Sequence, residues 1–363
     1  MYYIGLMSGT SMDAIDAAIV DIGDTSLAVL DYRQYPISRD IQARVRAINL
    51  TSDLQEVTEL DNIIGQLFAD AVTRILQQNK ISKDDIVATG SHGQTVLHLP
   101  DADCPRSWQI GDANIIAARS GITTVTDFRR ADMAVSGQGA PLAPAFHNWY
   151  FGSTDKKTVV LNLGGIANLT LLYKDTILGF DSGPGNGLMD QWIQQHKAAD
   201  YDKDGDWALS GRCDAGLLQQ MLQYRYFALA PPKSTGRDEF NLQWINTLLE
   251  QIKPRPADED IQATLLQLTI QSISEALGRY AEEAEAVIVC GGGIHNTALM
   301  QGLKTQLAGL AVSSSAEHGI EPDAVEAVTF AWLAKQRLAA LPGNIPSVTG
   351  AARPVVLGAI YAP

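Results

Sequence analysis

Two distant stretches of this 363-residue chain repeat one pattern: an apolar run rich in β-branched residues, a short turn of small residues, and a second apolar run. In the first, Tyr2 to Met7 leads through Ser8-Gly9-Thr10-Ser11 to Ile15 to Val20. In the second, Val159 to Leu163 leads through Gly164-Gly165 into Ile166 to Leu172. Runs of this kind joined by a tight turn predict β-hairpins. A chain built this way twice is expected to hold two related domains, each presenting a backbone turn to a common cleft. Small residues let N–H groups approach an anion, and successive amides in a turn form an anion-binding nest, so the two turns suit a polyphosphate gripped from both sides.

Glycine turns also occur as plain hairpin turns, so the chemistry beside them carries the weight. Asp13 and Asp16 follow the first turn. The second leads through a strand over Thr176 to Phe180 into Asp181-Ser182-Gly183-Pro184-Gly185-Asn186-Gly187, then a helix-like run from Leu188 to Ile193. This predicts a strand ending in a carboxylate, followed by a flexible loop, a place where a general base meets a bound substrate.

Elsewhere strand and helix alternate. Leu60, Ile64, Leu67, Phe68, Ala71 and Ile75 fall at helical spacing before a strand over Ile86 to Thr89. Leu265, Leu266, Ile273, Leu277 and Tyr280 do the same before the strand Ala286 to Cys290, which runs into Gly291-Gly292-Gly293 and a helix near Thr297 to Leu307. A last helix is predicted over Pro322 to Arg337. The order implies α/β layers, with ligands where strands end and helices begin. A net charge of −14 argues against nucleic acid or an anionic membrane as partner. No apolar run is long enough to span a bilayer and no basic segment precedes an apolar one at the N-terminus, so a cytoplasmic protein is expected. Cys104, Cys213 and Cys290 offer neither a disulfide framework nor a CxxC site. Asp202, Asp204 and Asp206 imitate a calcium loop, but Trp207 and Cys213 stand where glycine and glutamate are required, leaving a polar surface loop as the expectation.

Seven segments in order carry a resemblance: Gly5 to Asp13, Ser91-His92-Gly93-Gln94-Thr95, Gln109-Ile110-Gly111-Asp112, Asp127-Phe128-Arg129, Gly139-Ala140-Pro141-Leu142, Asn162 to Asn168, and Asp181 to Asn186. Together they resemble the anhydro-N-acetylmuramic acid kinase family, within the superfamily of sugar kinases, actin and heat-shock ATPases, from the first residues to about Ala352. The resemblance implies two RNase H-like (actin-like ATPase) domains with an ATP and substrate cleft between them: residues 1–130 with about 343–363, and 131–342. It implies that ATP phosphorylates O6 of 1,6-anhydro-N-acetylmuramic acid while water opens the anhydro bridge, giving N-acetylmuramic acid 6-phosphate and ADP in peptidoglycan recycling. The implied partners are this amino sugar and ATP, with a homodimer as the assembly.

By the same resemblance Asp181 is the catalytic base; its plainer reading is an Asx-type cap of the glycine loop. Gly9, Thr10, Ser11, Met12, Asp13, Ala14, Ile15 and Asp16 match the ATP-binding stretch. Gly164, Gly165 and Asn168 form the opposing phosphate turn, and Gly291, Gly292 and Gly293 receive the adenosine. Mg²⁺ is expected to arrive with ATP, and no residue is assigned as its firm ligand. Arg129 is a candidate for the sugar's lactyl carboxylate or the phosphoryl group, against a surface salt bridge. His92 and Glu326 are weaker substrate candidates, against a satisfied loop histidine and a solvated helix residue. Two positions depart from the family pattern, Ala14 and Ser136, where glycine is usual; an ordinary strand conformation is expected at Ala14. A nucleotide-driven switch and a kinase for another sugar are the alternatives.

Overall fold

The computed structural model describes residues 1–9, 12–152, 156–173, 176–236 and 238–363. Thr10 and Ser11 lie outside the described residues. Strands β1 (Tyr2–Met7), β2 (Ala14–Ile22) and β3 (Leu27–Pro36) form an antiparallel meander, and β4 (Ile86–Ser91) lies parallel to β1. The pair β5 (Gln94–Leu99) and β6 (Arg106–Ile110) stands as a separate hairpin, and β7 (Thr124–Thr126) lies parallel to β4. A second meander follows in β8 (Thr158–Leu163), β9 (Ile166–Tyr173) and β10 (Thr176–Pro184). Onto β8 is added β11 (Ala286–Cys290), then β12 (Ala311–Ser314), both parallel; β13 (Ala359–Tyr361) closes the first sheet beside β7.

The two sheets therefore run β13-β7-β4-β1-β2-β3 and β10-β9-β8-β11-β12. Apart from β13 they share one connectivity, a three-strand meander whose first strand gains two parallel neighbours. This is the α/β, RNase H-like arrangement present twice. The compact units are Met1–Tyr150 with Gly319–Pro363, and Phe151–His318. The boundaries thus fall after residue 150 and after residue 318, where the sequence suggested 130 and 342.

The helix Val325–Leu338 explains the difference. It packs against β1 and β4 so closely that a Cβ at Gly5 would sit 1.8 Å from the carbonyl O of Ala327, and one at Gly90 2.0 Å from that of Phe330. The helix Ala143–Phe151 joins the same unit through Phe146, whose ring lies 6.0 Å from that of Trp332. Leu60, Ile64, Phe68, Ala71 and Ile75 of the helix Leu54–Asn79 bury against Ile4, Leu6 and Ile19 of the sheet, as the helical spacing predicted, with Leu67 of that stripe only partly buried. In the second unit, Leu265, Ile273 and Leu277 of the helix Asp258–Tyr280 pack against Val159, Leu161 and Leu169. No helix among the described residues is long and apolar enough to cross a membrane.

Two local expectations are corrected. β10 does not end at Asp181: pairing with β9 resumes after a register shift between Asp181 and Gly183 and runs to Pro184, so the first part of the presumed flexible loop, Ser182 to Pro184, is strand. Asp202 is buried, not part of a solvated loop. Its carboxylate accepts from the amides of Trp207 at 2.9 Å and Ala208 at 3.0 Å and from Gln262 at 3.1 Å, capping the short helix Asp206–Ser210.

Ala14 opens β2 opposite Pro36, in the strand conformation expected of it. Ser136, the other departure from the family pattern, adopts φ 70°. That left-handed conformation costs a side-chain-bearing residue about 1–2 kcal/mol, partly offset in glycine by the larger entropy of its unfolded chain. Ser136→Gly should therefore raise stability by about 0.5–1 kcal/mol, read as a higher urea midpoint at unchanged slope. An unchanged or lower midpoint would show that the serine carries no such strain.

Candidate active site

In the first unit the parallel strands β1, β4 and β7 all end on one edge of the sheet, the edge at which open α/β sheets bind ligands. Ser8 follows β1, Ser91 and His92 close and follow β4, and Asp127 to Arg129 follow β7. The start of the helix Val325–Leu338 adds Glu326. His92, buried and in ring contact with Phe330 at 4.7 Å, donates from Nδ1 to the Gly93 carbonyl at 2.9 Å. Its Nε2 is thereby left to accept from Arg129, at 3.1 Å from Nε and 2.9 Å from Nη2. Burial, and then the Arg129 cation, hold His92 well below its ordinary pKa, so the ring is neutral as this acceptor role requires.

Arg129 also donates from Nη1 to the Gly139 carbonyl at 2.8 Å. Burial lowers its pKa to about 10 against the opposing charge of Glu326, so it remains a cation at neutral pH. The weaker substrate candidates His92, Arg129 and Glu326 are thus one electrostatic group, and Arg129 is not the surface salt bridge of the plainer reading. The hydroxyls of Ser8 and Ser91 beside them, with that of Thr89 in β4, are buried without a hydrogen-bond partner among the described residues. Buried polar groups are almost always satisfied, so hydroxyls of this kind at a strand edge suit a polar ligand.

The first turn closes through the Met12 amide, which donates to the Gly9 carbonyl at 3.1 Å. Met12 and Ile15 bury their side chains in the core, so neither offers a side chain to a nucleotide, and contact there falls to backbone. Asp13 is exposed, 3.9 Å from Arg46. Asp16 accepts from the Tyr32 hydroxyl and from Gln34 at 3.0 Å, and burial raises its pKa.

In the second unit, β8 and β11 end side by side and place Gly164-Gly165 next to Gly291 to Gly293. A Cβ at Gly291 would lie 2.3 Å from Asn162 Oδ1, and one at Gly293 2.6 Å from the Leu163 Cβ. A third glycine segment, which sequence reasoning did not assign, clasps the turn. The amides of Gly185 and Gly187 donate to the Gly165 carbonyl at 3.0 and 3.1 Å, and that of Asn186 to the Gly164 carbonyl at 2.9 Å. The Gly164 amide is itself spent on the Ile166 carbonyl at 3.2 Å, so it is unavailable to the expected nest in this conformation. Asn186 Oδ1 is buried without a partner among the described residues.

Asp181 is 6% exposed. Its Oδ1 accepts from Asn168 Nδ2 and its Oδ2 from the Thr235 amide at 2.9 Å. Its own amide donates to the Lys233 carbonyl at 3.1 Å, and its carbonyl accepts from the Tyr226 hydroxyl at 2.8 Å. These partners lie outside the following glycine segment, so the Asx-cap reading fails. Asn168, expected at the phosphate turn, is committed to Asp181 and accepts from Asn162 at 3.3 Å. Burial pushes the Asp181 pKa up to about 6; the Thr235 amide, Asn168 and the Lys233 cation oppose it. Each carboxylate oxygen has a second lone pair, so the group can still accept a proton from water. Thr235, Lys233 and Tyr226 were not found from sequence; the run Lys233-Ser234-Thr235-Gly236 after two prolines was their only signal.

The whole chain, residues 1–363, matches the family model described as anhydro-N-acetylmuramic acid kinase. Curated relatives with that description include the protein of Aliivibrio fischeri, 48% identical over 99% of this chain and 98% of its own. That of Pasteurella multocida is 47% identical over 99% and 97%. Among solved structures, a ROK family glucokinase from Streptomyces griseus is 13% identical, with a TM-score of 0.41, covering 93% of this chain and all of its own.

The buried Asp181 carboxyl should titrate near pH 6, protonated below and ionised above, about two units above an ordinary aspartate. Carbon-detected NMR of protein labelled at aspartate carboxyl carbons would read this as one late-titrating resonance that disappears in Asp181→Asn. Titration in the usual aspartate range would refute the electrostatic picture of the site.

Proposed function

Because the chain belongs to the anhydro-N-acetylmuramic acid kinase family, and so phosphorylates O6 of 1,6-anhydro-N-acetylmuramic acid while hydrolysing its anhydro bridge, we propose that Asp181 is the base that activates the attacking water. The observation that carries this is a carboxyl buried on a sheet edge beside three glycine segments, with a pKa raised to about 6 and its position set by Asn168 and Thr235. A base works best when its pKa lies near the working pH, where it is ionised yet still basic. Asp181 takes a proton from water as the water oxygen bonds to C1 of the sugar. The C1–O6 bond breaks, O6 takes the γ-phosphoryl group of ATP, and ADP leaves. The nucleotide-switch and other-sugar alternatives are not favoured.

The glycine segments at the ends of β8 and β11 are the proposed nucleotide site in the second unit. Their missing side chains let phosphate and nucleoside lie against backbone, and the orphan Asn186 Oδ1 supplies an acceptor. Gly9 and the exposed Asp13 are the proposed contribution of the first turn, since a Cβ at Gly9 would meet nothing within 4 Å. Arg129, held by His92 and Gly139, is the proposed partner of an anionic group of the sugar, for which its planar fork is suited. Ser8 and Ser91 are the proposed partners of sugar hydroxyls.

Among the described residues no group of three or more His, Cys, Asp or Glu could hold a metal ion, and Asp16 is occupied by Tyr32 and Gln34. We propose that Mg²⁺ arrives with ATP, held mainly by nucleotide phosphates and water, where it would neutralise the charge that develops on the phosphate oxygens. Purified protein should carry little metal, lose activity in chelator and regain it with Mg²⁺; full activity in excess chelator would contradict this.

Asp181→Asn keeps shape and removes the base, so kcat should fall roughly 10²–10⁴-fold with sugar and ATP affinity little changed. In wild type kcat should rise with pH through about 6, as the carboxyl ionises. In ¹⁸O-water the product should gain one solvent oxygen at C1 and none in its phosphate. An intact anhydro ring in the phosphorylated product, or an Asp181→Asn variant of near wild-type rate, would overturn the assignment.

A further inference from the structure

Asp181 sits on β10, the edge strand of its sheet, and the side of that strand away from β9 is covered by residues 233 to 235. The cover makes one main-chain bond to Asp181, through the Lys233 carbonyl, and one bond to its carboxylate, through the Thr235 amide. Two side-chain contacts pin the segment from outside. Thr235 Oγ1 donates to Glu239 Oε2 at 2.8 Å, while Glu239 Oε1 accepts from the Tyr224 hydroxyl at 3.0 Å. Lys233 donates to the Tyr226 carbonyl at 3.2 Å with its ammonium 4.6 Å from the centre of the Tyr226 ring, and the Tyr226 hydroxyl returns to the Asp181 carbonyl.

From this geometry we infer that Thr235 and Glu239 are positioning residues for the reaction: the hydroxyl–carboxylate latch between them holds the Thr235 amide on Asp181 Oδ2. The inference rests on the reading of Asp181 as base. A hydrogen bond donated to a carboxylate stabilises its ionised form, and it does so only while donor and acceptor are held within bonding distance. The Thr235 amide is the largest influence opposing the burial of Asp181. The other charged or titratable groups facing this site are Lys233, which favours the ionised carboxylate, Tyr226, which meets the carbonyl, and Glu239 itself; Arg279 acts on Lys233. Loosening the latch lengthens one favourable contact, so the carboxyl should hold its proton to higher pH. A structural role alone would lower stability and leave that titration where it was.

Thr235→Val removes the hydroxyl and keeps both the amide and the branched shape; Thr235→Ser restores the hydroxyl. In Thr235→Val the acid limb of kcat/KM should move up by about half a pH unit or more, with the sugar KM within about twofold, because a misplaced base lowers the chemical step more than binding. Thr235→Ser should return the wild-type limb. Glu239→Ala should reproduce the shift, and the double variant should add little to either single change, as expected of two ends of one contact. The same displacement should appear in the NMR titration of the Asp181 carboxyl, which does not depend on catalysis. If Asp181→Asn stays active the base reading fails, and the NMR titration alone then judges the latch. An unmoved Asp181 titration in folded Thr235→Val and Glu239→Ala, or no rescue by serine, would overturn it.

Discussion

The second unit is organised around the cost of burying one carboxylate. Asp181 is buried on an edge strand, and an ionised group there is tolerable only with donors aimed at it. Asn168 comes from the neighbouring strand β9, Thr235 from the covering segment, and Tyr226 and Lys233 anchor the main chain at its carbonyl and its amide. The donors are fewer than burial demands, and the residual imbalance appears as a pKa raised to about 6. A fully compensated carboxylate would be a weak base; an uncompensated one would be protonated at neutral pH. The register shift between Asp181 and Gly183 is the local irregularity that the strand accepts in this arrangement.

The first unit solves a different problem, that of holding a cation steady without neutralising it. Arg129 rests on a neutral histidine nitrogen and a peptide carbonyl, which fix its direction while the charge of Glu326 helps keep it a cation. The carbonyl belongs to Gly139, whose amide donates at 2.8 Å to Asp132, a fully buried carboxylate. Asp132 also accepts from Asn344 at 2.6 Å and from Thr349 at 2.7 Å, so the C-terminal segment is tied to the loop that aims the arginine. The strained Ser136 lies within that loop.

What could be read from the sequence was what is local. The hairpins, the long amphipathic helices and the strand before Gly291 follow from periodicity and turn chemistry within short windows, and the structure has them. The small-residue turns and the carboxylate Asp181 were visible in the same way, and the family resemblance supplied the roles expected of them. The remainder depends on contacts between residues far apart in the chain. Ser182-Gly183-Pro184 reads as a loop, and only pairing with β9 makes it strand. The boundary near residue 343 was misplaced because nothing around Val325 announces that its helix needs Gly5 and Gly90, where no other residue leaves room for its backbone. Asn168, three residues after Gly165, was placed at a phosphate turn by the resemblance, but alternation along β9 turns its side chain to Asp181.

One sheet topology used twice has thus been given two kinds of chemistry, and the division follows from where each unit leaves room. In the first unit, glycine is placed inside strands β1 and β4, where it admits a helix backbone, and the strand ends are free to carry serine, histidine and arginine. In the second, glycine is placed at the strand ends: after β11 a Cβ at Gly291 or Gly293 would collide with the end of β8, while after β8 Gly164 and Gly165 leave their backbone uncovered by side chains. Backbone amides and carbonyls cannot supply a base; the proposed one, Asp181, comes instead from an edge strand. The position of glycine along equivalent strands therefore sets where each unit has room for side chains and where it exposes main chain.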